Sequence, residues 1–208
     1  MQSFAIRTRL FLAALIVAAV PVAAFSFQPP AGAGPKAGAS EAASTASPEG
    51  TFEGYPITEF MNVSLLEGAN IERGHDVFSR LGNCISCHGW NGDGMGKNPR
   101  SEGAAAKLRE SQLDTQGFMD IIRCGIPGTP MPFHDSQAYK NPDVCFGQVM
   151  ADFDAGQTPR KGKTFRQPDL VNLVAYIQTH VQGAGETTLE QCQDFFGDSA
   201  SKTCTNLE

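Results

Sequence analysis

Three stretches of the chain carry apolar residues at helical spacing, each bounded by a residue suited to a helix terminus. Asn70 can cap a helix opening at Ile71, with Glu72 in its first turn and Gly74 and Phe78 on one face. Leu113-Asp114 opens a second, with an apolar face of Phe118, Ile121 and Ile122 and a stop at Gly125. Pro168 stands where a first helical position tolerates it. Leu170, Leu173, Val174, Ile177 and Val181 follow at helical spacing to Gly183, with Tyr176 at the border of the stripe. Beyond them, Thr187-x-x-Glu190 reads as a capping box for a short helix carrying Cys192, Phe195 and Phe196. No internal repeat or strand alternation interrupts this pattern, so a mostly α fold is predicted.

The connecting stretches are punctuated by glycine and proline. Gly89 to Gly96 holds four glycines with Asn91 and Asp93, hence a loop, and Ala104 to Leu108 reads as irregular or a short turn. Pro127, Gly128, Pro130 and Pro132 force a rigid, extended segment around Met131. Residues 133–167 hold turns, with Arg160, Lys161, Lys163 and Arg166 read as a solvated loop. At the other end, Arg7 and Arg9 precede the apolar run from Leu10 to Val20, and Pro21-Val22-Ala23-Ala24 offers a cleavage site after Ala24. A cleaved export signal is expected for residues 1–24; an uncleaved membrane anchor is the alternative. Residues 25–66 are expected to form an Ala/Pro/Gly-rich flexible tether followed by an extended arm with Phe52, Tyr55, Phe60, Met61 and Leu65.

Charge narrows the partners. The formal net charge is −6, and setting aside the first 24 residues leaves 14 basic against 22 acidic groups. That balance argues against nucleic acid and against a polybasic membrane binder. Membrane contact is expected only if the N-terminal segment is retained. The hydrophobic share of 41% permits a modest core. Six cysteines are many for a reducing compartment. Setting Cys84 and Cys87 aside, four remain with three possible pairings; Cys124 with Cys145 and Cys192 with Cys204 close the shortest loops, and buried thiols are the alternative.

Cys84-Ile85-Ser86-Cys87-His88 carries the chemistry. Two thiols three positions apart with an imidazole beside the second read as a c-type haem attachment. Each thiol can add across one porphyrin vinyl group, and His88 is then held under the iron as the proximal ligand. The rival readings are a disulfide, a redox dithiol or half a zinc site. A zinc site wants a second close Cys/His pair, whereas Cys124 stands alone; a dithiol does not need the histidine, and no βαβ pattern surrounds it.

The helix bearing Gly74 and Phe78, the Cys84–Gly89 motif, Gly128-Thr129-Pro130-Met131-Pro132 and the helix with Leu173-Val174-Ala175-Tyr176-Ile177 together resemble the class I cytochrome c family over about residues 67–183. The resemblance implies an all-α fold with three main helices wrapped round one covalently attached haem c; the chain departs from the short members of that family in its Ala/Pro tether, its further cysteine pairs, and residues 184–208, expected to form a short disulfide-stapled extension. It implies a close crossing of Gly74 and Phe78 against Tyr176, and His88 and Met131 as the axial ligands. Met131 lies 43 residues beyond His88 in a proline-stiffened frame. Met61, Met95, Met119 and Met150 lack such a frame. His134 is the chief competitor, while His75 and His180 read as surface groups. Trp90, Arg100, Arg109 and Arg123 are candidates for the haem propionates. The four further cysteines make the chain similar to bacterial cytochromes that accept electrons from quinoprotein alcohol dehydrogenases.

The function implied is a periplasmic one-electron carrier in a respiratory chain, not an enzyme by itself. It would accept electrons from a dehydrogenase or cytochrome complex and pass them to another cytochrome or a terminal oxidase. Two alternatives stand beside it: a fixed haem subunit of a membrane-bound oxidoreductase complex, and a haem enzyme or gas-binding protein with an open distal site.

Overall fold

The computed structural model describes residues 51–52, 55–56, 58–96 and 104–207, all within one compact unit. The expected signal segment, the tether up to residue 50 and Arg100 lie outside the described residues. The fold is helical, apart from a two-residue antiparallel pair, β1 (Thr51–Phe52) with β2 (Tyr55–Pro56), in the arm.

Two helices cross at its centre. α1 (Ile71–Asp76) begins where the Asn70 side chain accepts from the Arg73 amide at 2.7 Å, and it continues through a wider turn at Val77–Leu81. One turn of chain later comes α2 (Ile85–His88), and then α3 (Thr115–Cys124), capped by Asp114 accepting from the Gly117 amide. α4 (Gln167–Tyr176), with Pro168 in its first turn, also widens at its end, over Ile177–Val181. The wide turns of α1 and α4 match: Gly82 N–H donates to Val77 O at 2.7 Å and Gln182 N–H to Ile177 O at 2.8 Å, each five residues back.

α1 and α4 touch because Gly74 has no side chain. A Cβ there would come within 2.6 Å of Tyr176 Cβ and would overlap the Asn172 carbonyl oxygen. Phe78 then packs on Tyr176 with ring centroids 5.6 Å apart. The crossing is pinned at its polar edge by Arg73, whose Nε and Nη2 both donate to Asp169 Oδ1, and by the Asn70 amide donating to Asn172 Oδ1. Around it lies the main core, with Leu66, Val77, Phe78, Leu173 and Val174 fully enclosed.

α3 lies against α4. Its inward residues are Phe118, Met119 and Ile122; Ile121, expected on that face, is only half-buried, because Met119 turns inward instead. Buried Thr115 accepts from the Asn62 amide and donates to Gln178 Oε1, while Gln178 Nε2 donates to Phe60 O and Gln182 Oε1. Burying these amides is tolerable because each finds a partner.

Residues 125–166 form no α-helix but carry a small core of their own: Cys124, Phe133, Ala138, Tyr139 and Cys145. The Cys124 and Cys145 sulfurs are at bonding distance, and the Tyr139 hydroxyl donates to Cys124 O at 2.7 Å. The C-terminal residues form α5 (Leu189–Phe196) and α6 (Ala200–Thr203), with Cys192 and Cys204 bonded between them. The capping box of α5 is Thr188 with Gln191, one residue beyond the expected pair. Thr187 is engaged elsewhere: its hydroxyl accepts from Asn91 Nδ2 at 2.6 Å.

Candidate functional site

α2 is a single turn, and that turn is what the motif needs. Residues three and four apart share a helix face, so Cys84, Cys87 and His88 project from one side. Cys87 N–H and His88 N–H both donate to Cys84 O, at 3.1 and 2.9 Å, and Gly89 leaves the turn at φ +77. The loop behind folds back on it, with Gly94 N–H donating to His88 O at 2.8 Å and Gly96 N–H to Cys87 O at 3.0 Å. Gly82 has no room for a side chain: a Cβ would sit 2.9 Å from Phe165 Cζ and 3.0 Å from Cys84 Sγ.

Each candidate group has a definite chemical state. Cys84 and Cys87 take no part in the two disulfides. Burial pushes the Cys84 thiol up to about 12, which keeps it protonated. Among the described residues no three His, Cys, Asp or Glu side chains converge as a metal site. His88 Nδ1 lies 2.8 Å from Ala106 O. A carbonyl only accepts, so Nδ1 carries the proton and Nε2 keeps its lone pair. Burial lowers the His88 pKa against the opposing pull of that hydrogen bond, so the ring is neutral, the form that binds metal.

Met131 sits in a tight return after α3. Gly125, at φ +63, approaches so closely that a Cβ would come 2.6 Å from Pro132 C and 2.7 Å from Phe133 N. Ile126 N–H donates to Met131 O, and Thr129 Oγ1 accepts from Met131 N–H. The Met131 side chain is half-buried on the main apolar cluster, as are Cys84, Ile85, Leu108 and Phe165. A thiol pair on one helical turn, a neutral imidazole with its outer nitrogen committed, and a thioether on the same apolar cluster fit a covalently held haem.

The remaining candidates have other partners. Trp90 packs on Phe195 and Phe196, with centroids 5.6 and 5.5 Å away. Arg123 Nε donates to Asp135 Oδ2 at 3.1 Å, and the Arg109 guanidinium is held by carbonyls of residues 91 and 184–186. His134 is buried: Nδ1–H donates to Lys163 O at 2.6 Å and the ring stacks on Phe165 at 4.2 Å. His75, expected at the surface, is half-buried; with His180, exposed as expected, it lines a cavity of about 290 Å³ beside Tyr176, Trp90 and Phe195, away from the thiols and Met131.

Sequence reasoning missed the Ala106 carbonyl and the Phe165 ring. The first is a backbone atom and leaves no trace in the sequence, while the second stands alone in a polar stretch.

The pattern of the cytochrome c family matches residues 71–180, a span that opens with α1 and closes in the wide turn after α4. Comparison with curated proteins and with solved structures gave no match. The matched span is more than half of the chain and contains the crossing, the thiol turn and the Met131 return: the protein belongs to the cytochrome c family, which carries covalently bound haem c for electron transfer.

Proposed function

We propose that the protein is an exported one-electron carrier, holding one haem through Cys84 and Cys87 with His88 and Met131 as axial ligands. The haem, when bound, supplies an iron that changes by one electron between ferrous and ferric. The chain's part is to hold it. Cys84 and Cys87 would hold it covalently, each S–H adding across one vinyl C=C so that the sulfur would form the thioether and the hydrogen would go to the neighbouring carbon. His88 presents Nε2 because Nδ1–H is committed to Ala106 O, and that commitment is the observation that carries the reading. The proline-flanked Met131 loses little freedom when its thioether is fixed, and the apolar cluster around Cys84, Leu108 and Phe165 keeps water away.

The finer assignments follow the sequence. Residues 67–183 form the haem domain and 184–208 an extension, with a leader over 1–24 directing export to the periplasm. The donor is a dehydrogenase, with a quinoprotein alcohol dehydrogenase first among them, or a cytochrome complex; the acceptor is another cytochrome or an oxidase. Optical spectroscopy and mass measurement of the mature protein test the core of this. One haem, two thioethers and a far-red sulfur-to-iron band lost in Met131→Leu are expected. Rapid carbon monoxide binding by the ferrous wild type would overturn Met131 as a ligand.

A further inference from the structure

The Arg109 guanidinium makes more contacts than a surface arginine needs. Nε donates to Gly185 O at 2.8 Å and Nη1 to Asn91 O at 2.9 Å; Nη2 donates to Ala184 O and Glu186 O, both at 3.1 Å, and to Gln191 Oε1 at 2.9 Å. Its backbone is tied in as well. Arg109 N–H donates to Gly92 O at 3.2 Å, and Arg109 O accepts from Gly183 N–H at 2.9 Å. One residue therefore joins the loop behind the thiol turn, the exit of α4 and the first turn of α5.

Three residues before it stands Ala106, the acceptor for the His88 ring. Residues 105–110 have two kinds of anchor: backbone bonds to the loop at Gly92 and Gly94, and the guanidinium that fastens them to residues 184–191. We propose that Arg109 is a positioning residue: through it the C-terminal extension holds the Ala106 carbonyl at the His88 ring and so sets the electron-donating strength of that imidazole. A strong Nδ1–H···O bond makes the imidazole a better donor and favours ferric iron; a loosened one favours ferrous. A planar fork spreads five N–H donors over three nitrogens, whereas an ammonium has three on one, so lysine cannot reach all five acceptors here.

The inference rests on His88 being the iron ligand, and the test separates the two. In the haem-loaded protein, Arg109→Lys and Arg109→Met are expected to raise the midpoint potential and to speed solvent exchange of the His88 Nδ1 proton, followed by NMR, by about fivefold or more. Thr187→Val, which removes the other tie between loop and extension, is expected to lower the melting temperature while leaving potential and exchange unaltered. Gln191→Leu removes one of the five acceptors and keeps the question answerable where Arg109 variants fail to fold; a smaller shift of the same sign is expected. Folded variants with wild-type potential and wild-type exchange would overturn the positioning role alone. A wild-type iron without an imidazole ligand would overturn it together with the ligand set proposed above.

Discussion

The two ends of α4 are held in opposite ways. From Asp169 to Tyr176 it meets α1 through shape: Gly74 lets backbone approach backbone, Phe78 fills the angle, and one ion pair closes the edge. Beyond its exit, the loop behind the thiol turn and the extension are joined by hydrogen bonds to backbone carbonyls and one hydroxyl, gathered by Arg109, Asn91 and Gly183. Packing of the first kind fails abruptly, since a core has no slack for an added methyl group. Ties of the second kind fail one at a time, each for about 1 kcal/mol. The contrast places rigidity at the crossing and adjustability beside the thiol turn.

Mutations at either end break or sharpen that contrast. Gly74→Val is expected to have the largest effect, a loss of roughly 3 kcal/mol or more, because its Cβ meets backbone at Asn172. Denaturant unfolding of the haem-loaded protein reads it, and near-native stability would show that the helices can slide apart. Removing the Cys192–Cys204 bond as the double serine variant is expected to cost about 2–3 kcal/mol, followed as protease sensitivity of the C-terminal residues before the rest melts. Asn91→Ala, which loses the bond to Thr187, is expected to cost about 1 kcal/mol, seen as a small shift in urea midpoint.

The smallest effect is expected from acid. Burial lowers the pKa of His75, His134 and His180 below the ordinary histidine value of about 6.5. The unfolded chain then binds protons before the folded one does, so stability is full above about pH 6.5 and declines as pH falls below it. Urea midpoints measured between pH 7.5 and 5 check this, and His134→Gln is expected to flatten the slope.

What the sequence made legible divides along the same line. Helical period puts Gly74 and Phe78 on one face and Tyr176 at the border of another stripe, but their meeting follows only from the family resemblance, because spacing within a helix does not say which helix it faces. Asp114 and Asn70 cap where expected because a cap acts within its own turn. The four cysteines outside the thiol turn sit in the short-loop pairs. The box at Thr188 was misread as Thr187 because the choice between adjacent threonines was made by Asn91, 96 residues away. Ile121 and Met119 changed places because both are apolar and only the angle between α3 and α4 decides which is enclosed. His75 reads as a surface group because α5, whose Phe195 ring packs on it, carries no long-range signal of where it docks, while His180 is exposed as expected. Ala106 could not be found at all, since its contribution is a carbonyl that every residue possesses.

The cysteine pairs have a consequence for how the chain is made. Both bonded pairs join neighbours in the list of cysteines, 124 to 145 and 192 to 204, without crossing. A chain oxidised as it emerges, each thiol taking the next one to appear, reaches this arrangement with no reshuffling. The same rule would link Cys84 to Cys87, the two sulfurs that the proposed haem attachment needs separate. Were the chain to mature under oxidising conditions with that attachment, an electron donor would have to act at that turn before the macrocycle arrived, while the later pairs oxidised.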